Sequence, residues 1–146
     1  MKLIALLLIS TFLPGQTPWL TDINQAKTEA YQKHKMILLN FSGSDWCSPC
    51  IQLKKKIFNA TAFSQFADSS LVLVNADFPR KKKNKPTPEQ AVKNDALAEK
   101  YNPDGKFPYT LLLDASGRIV KAWDGYPDIS SAEFVQQIQD IVNAAR

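Results

Sequence analysis

Met36-Ile37-Leu38-Leu39-Asn40-Phe41-Ser42-Gly43-Ser44-Asp45-Trp46-Cys47-Ser48-Pro49-Cys50 is the stretch that decides how this chain folds. Met36 to Phe41 is a nearly continuous apolar run, the pattern of a strand buried on both faces. Ser42 to Asp45 makes a polar turn, and the segment carrying Cys50, Leu53 and Ile57 then repeats its apolar residues at helical spacing. Pro49 suits a first helical turn, where its missing N–H has no intrahelical use. The only two cysteines, Cys47 and Cys50, thus stand at a strand-to-helix junction. Unpaired N–H groups and the helix dipole stabilise a thiolate there and lower its pKa, which makes Cys47 the candidate nucleophile and Cys50 the resolving thiol. Asp45 acts in the opposite sense, because a nearby negative charge raises a thiol pKa.

A structural disulfide or half of a metal site is the alternative reading of the pair. Two thiolates alone do not complete a tetrahedral zinc site. The only histidine, His34, lies in Lys33-His34-Lys35 at the end of a helix-like segment, where a solvated C-terminal cap is the plainer role. No nucleotide, flavin or metal motif is visible, so no cofactor is expected.

Working outward, Lys2 precedes an apolar stretch from Leu3 to Ile9, and Pro14-Gly15-Gln16 breaks any helix. This is the layout of a signal peptide over residues 1–16, with an imperfect cleavage site because Leu13 is not small. The expected location is periplasmic or secreted; an uncleaved N-terminal membrane anchor is the alternative. Residues 17–146 are long enough for one self-sufficient core and too short for two. Composition is that of an ordinary globular domain, with 45% apolar and 22% charged residues. A formal charge of +4 is too mild to imply a nucleic-acid partner. A disulfide closing so short a loop constrains little of the unfolded chain, so stability must come from the core and the cysteines can cycle.

The remaining elements alternate. Thr21 or Asp22 caps a helix through about His34, with Ile23, Ala26 and Ala30 on one face. Thr61 caps a short helix ending near Asp68, and Leu71 to Val74 is a second buried strand. Thr87, Pro88 and Gln90 open a helix with a capping box, and Ala91, Leu97, Ala98 and Tyr101 form its apolar stripe. Tyr109 to Leu113 is a third strand, Asp114 to Gly117 a tight turn, and Arg118 to Ala122 a fourth. Ser130 and Glu133 make another capping box before a helix presenting Phe134, Ile138, Ile141, Val142 and Ala145. Long connections favour parallel pairing early, and the short turn at Gly117 makes the last two strands antiparallel. The expected architecture is α/β, a mixed four-stranded sheet with helices on both faces. Trp19 and Trp123 are read as packing residues. Arg80-Lys81-Lys82-Lys83 with Lys85 is read as a solvated, mobile loop, its functional alternative being a contact with an anionic envelope surface or an acidic protein. It has no interleaved aromatic residue to stack a nucleic-acid base.

From Asp22 to Ala145 the chain resembles a thioredoxin-like domain. The resemblance rests on Ser42 to Cys50, with its Trp-Cys-x-x-Cys signature after a buried strand, and on Phe107-Pro108-Tyr109-Thr110-Leu111, which is similar to the segment where that family places a cis-proline opposite the redox cysteines. It implies the thioredoxin fold, a redox-active Cys47–Cys50 disulfide, a cis Pro108, and substrate contacts from Trp46, Pro108 and the backbone of Phe107 by strand addition. It also implies disulfide-bearing protein substrates and a membrane thiol reductase as electron donor; nothing in the sequence suggests an obligate interface, so a monomer is expected. The function expected is thiol–disulfide exchange in the reducing direction. A disulfide oxidase or isomerase of the same fold is one alternative, and a non-catalytic binding module with a static disulfide is another. One departure stands out: Asn40 occupies the place where thioredoxin itself carries a buried aspartate that handles the resolving cysteine's proton. An amide cannot accept a proton at neutral pH, so water, Asp45 or another group must do so.

Overall fold

In a computed structural model, which describes residues 16–145, the apolar run Met36–Ser42 is the central strand of a five-stranded sheet. Strands β1 (Trp19–Leu20), β2 (Met36–Ser42), β3 (Leu71–Asp77), β4 (Tyr109–Leu113) and β5 (Ile119–Asp124) lie in the order β1-β3-β2-β4-β5. The β1 and β2 strands run parallel to β3, whereas β4 pairs antiparallel with both β2 and β5. Helices α1 (Ile23–Lys33), α2 (Ser48–Leu53), α3 (Thr61–Ser70), α4 (Pro88–Tyr101) and α5 (Ser131–Ala144) cover the sheet. Successive strand side chains point to opposite faces. Ile37, Leu39 and Phe41 therefore pack with Ala26 and Ala30 of α1 and Leu97 and Tyr101 of α4. Leu38 faces the other way, toward Leu53, Phe63, Phe134 and Ile138. Two apolar faces explain the unbroken hydrophobic run.

The thioredoxin fold is as expected, but the sheet has one more strand than the four read from the sequence. Trp19 and Leu20 pair with Leu73 and Val74 at the sheet edge. Two residues are too few to show a period, and Trp19 is held there by its ring contacts with Phe58 and Phe63, at 5.0 and 6.5 Å between centroids.

Several helix ends differ from expectation. Asp22 is the N-cap of α1, accepting the N–H groups of Asn24 and Gln25. Thr61 is the first residue of α3, whose N-cap Ala60 makes no side-chain bond. Thr87 does cap α4, but Gln90 leaves the box open because its amide donates to Thr21 O and Asn94 Oδ1. The Ser130–Glu133 box is reciprocal as read. Ala145 is the exposed C-cap of α5 and takes no part in its buried face. The helix after Cys50 continues into a π-helical turn, Lys54–Phe58, closed by Asn59 N–H to Lys54 O at 2.8 Å. That turn sends both Ile57 and Phe58 into the core. His34 is an exposed left-handed C-cap with φ 53°. The expected signal peptide lies almost wholly outside the described residues.

Candidate active site

Gly43 allows the cysteine motif to close against the end of β2. Its carbonyl accepts Trp46 N–H at 3.2 Å and Cys47 N–H at 2.9 Å. A Cβ at Gly43 would fall inside the indole of Trp46. That indole is fixed, since its Nε1 donates to Phe78 O at 2.8 Å. Gly43→Ala must push the ring away and lose this bond; about 1–3 kcal/mol of destabilisation is expected, with an altered tryptophan fluorescence spectrum. Urea unfolding and emission spectra test this, and an alanine variant with unchanged stability would show that the turn adapts.

Cys47 is the N-cap of α2, with extended backbone, and its Sγ accepts Cys50 N–H at 3.3 Å. The two sulfurs are joined as a disulfide with a Cα–Cα distance of 5.3 Å. Burial does not distinguish them, for each is 4% exposed. Position does: Cys47 collects the helix N–H, while Cys50 backs onto a cavity of about 160 Å³ shared with Asn40, Ser42, Lys54 and Asn75.

Asn40 is 6% exposed and belongs to a buried polar chain. Thr110 Oγ1 donates to Asn40 Oδ1 at 2.9 Å, and Asn40 Nδ2 donates to Asn75 Oδ1 at 3.0 Å. These three residues share one register across β4, β2 and β3. The chain is neutral throughout, so no buried charge stands behind Cys50 in it.

Phe107 approaches the motif from the other side. The Phe107–Pro108 peptide is cis, as the resemblance implies. The Phe107 ring meets Trp46 and Phe78 edge-on, each at 5.6 Å between centroids. No main-chain partner of Phe107 is found among the described residues, although Pro108 O accepts Gly125 N–H. Trp46 and Phe107 are thus brought together, with the buried Cys47 and Cys50 following Trp46 in the chain and the buried Pro108 following Phe107.

The basic run is the main surprise. Asp45 grips it: Oδ1 accepts Arg80 N–H, and Oδ2 accepts Lys81 N–H and Asn84 Nδ2, all at 2.9 Å. The backbone N–H of Arg80, aided by Asn84 and Lys81, outweighs desolvation and holds the Asp45 carboxyl below the usual aspartate range. Lys82–Asn84 forms a 3-10 turn, and the Arg80 guanidinium lies 3.8 Å from the Trp46 ring centroid. A mobile loop is therefore the wrong description; the run is tied to the residue next to the motif. Its signal in the sequence was Asp45 itself, whose acidity matched the run but whose partners could not be identified before the fold.

A Cys-x-x-Cys disulfide at a strand-to-helix junction, in a chain with a cis-proline before β4, defines a thioredoxin-like thiol:disulfide oxidoreductase. The chain belongs to that family: the thioredoxin-like domain matches residues 23–141. It is 36% identical over 115 residues to the "Disulfide bond reductase DsbH" of Chlamydia pneumoniae, covering 79% of this chain and 67% of the relative. It is 26% identical over 129 residues to the "Thioredoxin-related protein DsbJ" of the same organism, covering 81% of this chain but only 36% of DsbJ. A solved DsbH oxidoreductase superposes with a TM-score of 0.79 at 31% identity, covering 88% of this chain and 86% of the other.

Proposed function

We propose that this protein is an exported disulfide reductase acting on polypeptides. The observation that carries the reading is the cysteine pair at a helix start, beside a Phe107 backbone with no main-chain partner. Likeness to a relative named as a disulfide bond reductase supports the direction. Substrate adds as a strand to Phe107, with Trp46 and Pro108 flanking the site. Cys47 thiolate attacks one substrate sulfur, and the other leaves as a thiolate that takes a proton from solvent. Cys50, on losing its proton, attacks Cys47 Sγ, releasing the second substrate sulfur and forming the Cys47–Cys50 bond. Two electrons pass from the dithiol to the substrate. Asp45 is a poor proton acceptor for Cys50, because both its oxygens hold the 80–84 segment. The cavity beside Cys50 is roomy enough for water and offers it the polar residues Asn40, Ser42, Ser44 and Asn75, so water serves instead.

Residues 1–16 are the export signal in this reading, and the mature protein works as a monomer in the periplasm or outside the cell. No helix among the described residues is long and apolar enough to cross a membrane. An oxidising compartment would leave the pair spent, so a membrane thiol reductase recharges it. The test is dithiothreitol-driven insulin reduction. Acceleration by the protein lacking residues 1–16, and a return to the dithiothreitol rate with Cys47→Ser, is the expected result. Indifference to Cys47→Ser would remove the catalytic reading. Equilibration with glutathione fixes the direction, since a reduction potential well above the glutathione pool would mark an oxidant.

A further inference from the structure

We infer that the groove beside the cysteine motif is a specificity subsite for an acidic segment of the substrate polypeptide, held by Arg80 and Lys85. This rests on the proposal that a polypeptide disulfide reaches Cys47 along Phe107. The groove has a volume of about 630 Å³ and joins Trp46 and Phe107 to Phe78, Pro79, Arg80 and Lys85. It begins at Trp46, the residue before Cys47, and at Phe107, whose ring meets Trp46. A chain bound there is continuous with the strand position at Phe107.

Charge selects the occupant. Arg80, Lys81, Lys82, Lys83 and Lys85 put five cations into six positions. Among the described residues none of their side chains pairs with a carboxylate; outside the run Lys33, Lys93, Lys106 and Arg118 do, and the other lysines do not. Asp45, the acid nearest in the structure, takes backbone N–H groups of the run and leaves the cationic heads unpaired. Two acids also line the groove. Asp77, which accepts Ser44 N–H and Oγ and keeps its charge, and Asp95 are these carboxylates, so the five cations of the run outnumber them. The Arg80 guanidinium lies over the Trp46 ring, and among the described residues its side-chain N–H donors have no protein acceptor. A carboxylate is the ligand that such a group binds best. Like charges repel when concentrated, yet Asp45 and the 3-10 turn fix these beside the redox centre. An ordered, unpaired cationic cluster next to a peptide groove fits an acidic peptide.

Three disulfide peptides of equal length, with one cystine loop flanked by Glu-Glu, Gln-Gln or Lys-Lys, provide the test. Reduction is followed at low and high salt, and kcat/KM is compared as ratios within each protein. The Glu peptide should be favoured over the Gln peptide by about three- to tenfold at low salt, and the Lys peptide disfavoured, with both effects shrinking as salt rises. In Arg80→Gln/Lys85→Gln the Glu-to-Gln ratio should fall to about one. A ratio is insensitive to partial loss of folded protein. A wild-type ratio of one overturns the inference. So does a ratio that falls only when Lys81, Lys82 and Lys83 are changed to Gln, because the groove would then play no part. A cluster felt only in binding to phosphatidylglycerol vesicles also overturns it. If none of the three peptides is reduced, the reductase proposal itself fails, and this subsite with it.

Discussion

Cys50→Ser converts the protein from a catalyst into a trap. With a hydroxyl at position 50, Cys47 still attacks a substrate disulfide, but nothing attacks Cys47 Sγ to release the adduct. Turnover in the insulin assay falls to the dithiothreitol background, and a mixed disulfide accumulates that survives an acid quench and alkylation. Its mass is that of the protein plus one substrate chain. Cys47 is expected to keep the substrate, because its Sγ receives the Cys50 N–H at the helix start while Cys50 lines the inner cavity. Cys47→Ser is the counterpart, removing the sulfur that the helix start stabilises as a thiolate, and is expected to give no adduct. Adducts on Cys50 in the Cys47→Ser protein, at a rate matching the Cys50→Ser trap, would reverse the order of attack. Recovery of small-molecule thiols alone from an extract would argue against polypeptide substrates.

What was legible in the sequence follows from where the physics is local. The strand Met36–Ser42 announces itself because both its faces are covered, so every position but Asn40 and Ser42 is apolar. Thr87 and the Ser130–Glu133 box announce helix starts because capping is a contact within three residues. The redox pair was legible for the same reason: strand, turn, cysteine and helix are adjacent in the chain. What escaped depends on distance. The edge strand Trp19–Leu20 exists only through its pairing with Leu73 and Val74, some fifty residues away. Gln90 matched a capping box locally, yet long-range acceptors at Thr21 and within α4 at Asn94 won its amide. The basic run looked like free loop because its anchor, Asp45, lies thirty-five residues earlier. Asn75 and Thr110 are polar residues in mainly apolar strands, and their shared register with Asn40 is visible only once the sheet is assembled.

That neutral register is where a single substitution should reveal how Cys50 loses its proton. Asn40→Asp places a carboxyl in a site only 6% exposed. Burial disfavours the charged form and raises the new group's pKa above its unfolded value near 3.9. When protonated, the carboxyl can replace the amide as donor to Asn75 Oδ1 while still accepting from Thr110; when ionised, it leaves two oxygens facing each other until Asn75 turns over. The sign of the linkage is therefore fixed. The group's contribution is fully present below the unfolded pKa and is lost as pH rises through the folded one. The variant should lie near wild type at pH 4 and be destabilised at pH 8 by roughly 1–3 kcal/mol, each unit of pKa shift contributing about 1.4 kcal/mol. Over the same pH range the ionised carboxylate becomes a base beside the cavity that Cys50 shares with residue 40. Substrate release from the Cys47 mixed disulfide should then accelerate about tenfold or more over wild type above the new pKa. Stopped-flow decay of a preformed adduct and urea unfolding, each followed from pH 4 to 8, measure the two effects. They must share one midpoint, because one carboxyl causes both. Release that follows the wild-type pH profile, in a variant whose stability does show the shift, would remove position 40 from the proton path and leave it a purely structural link between β2, β3 and β4.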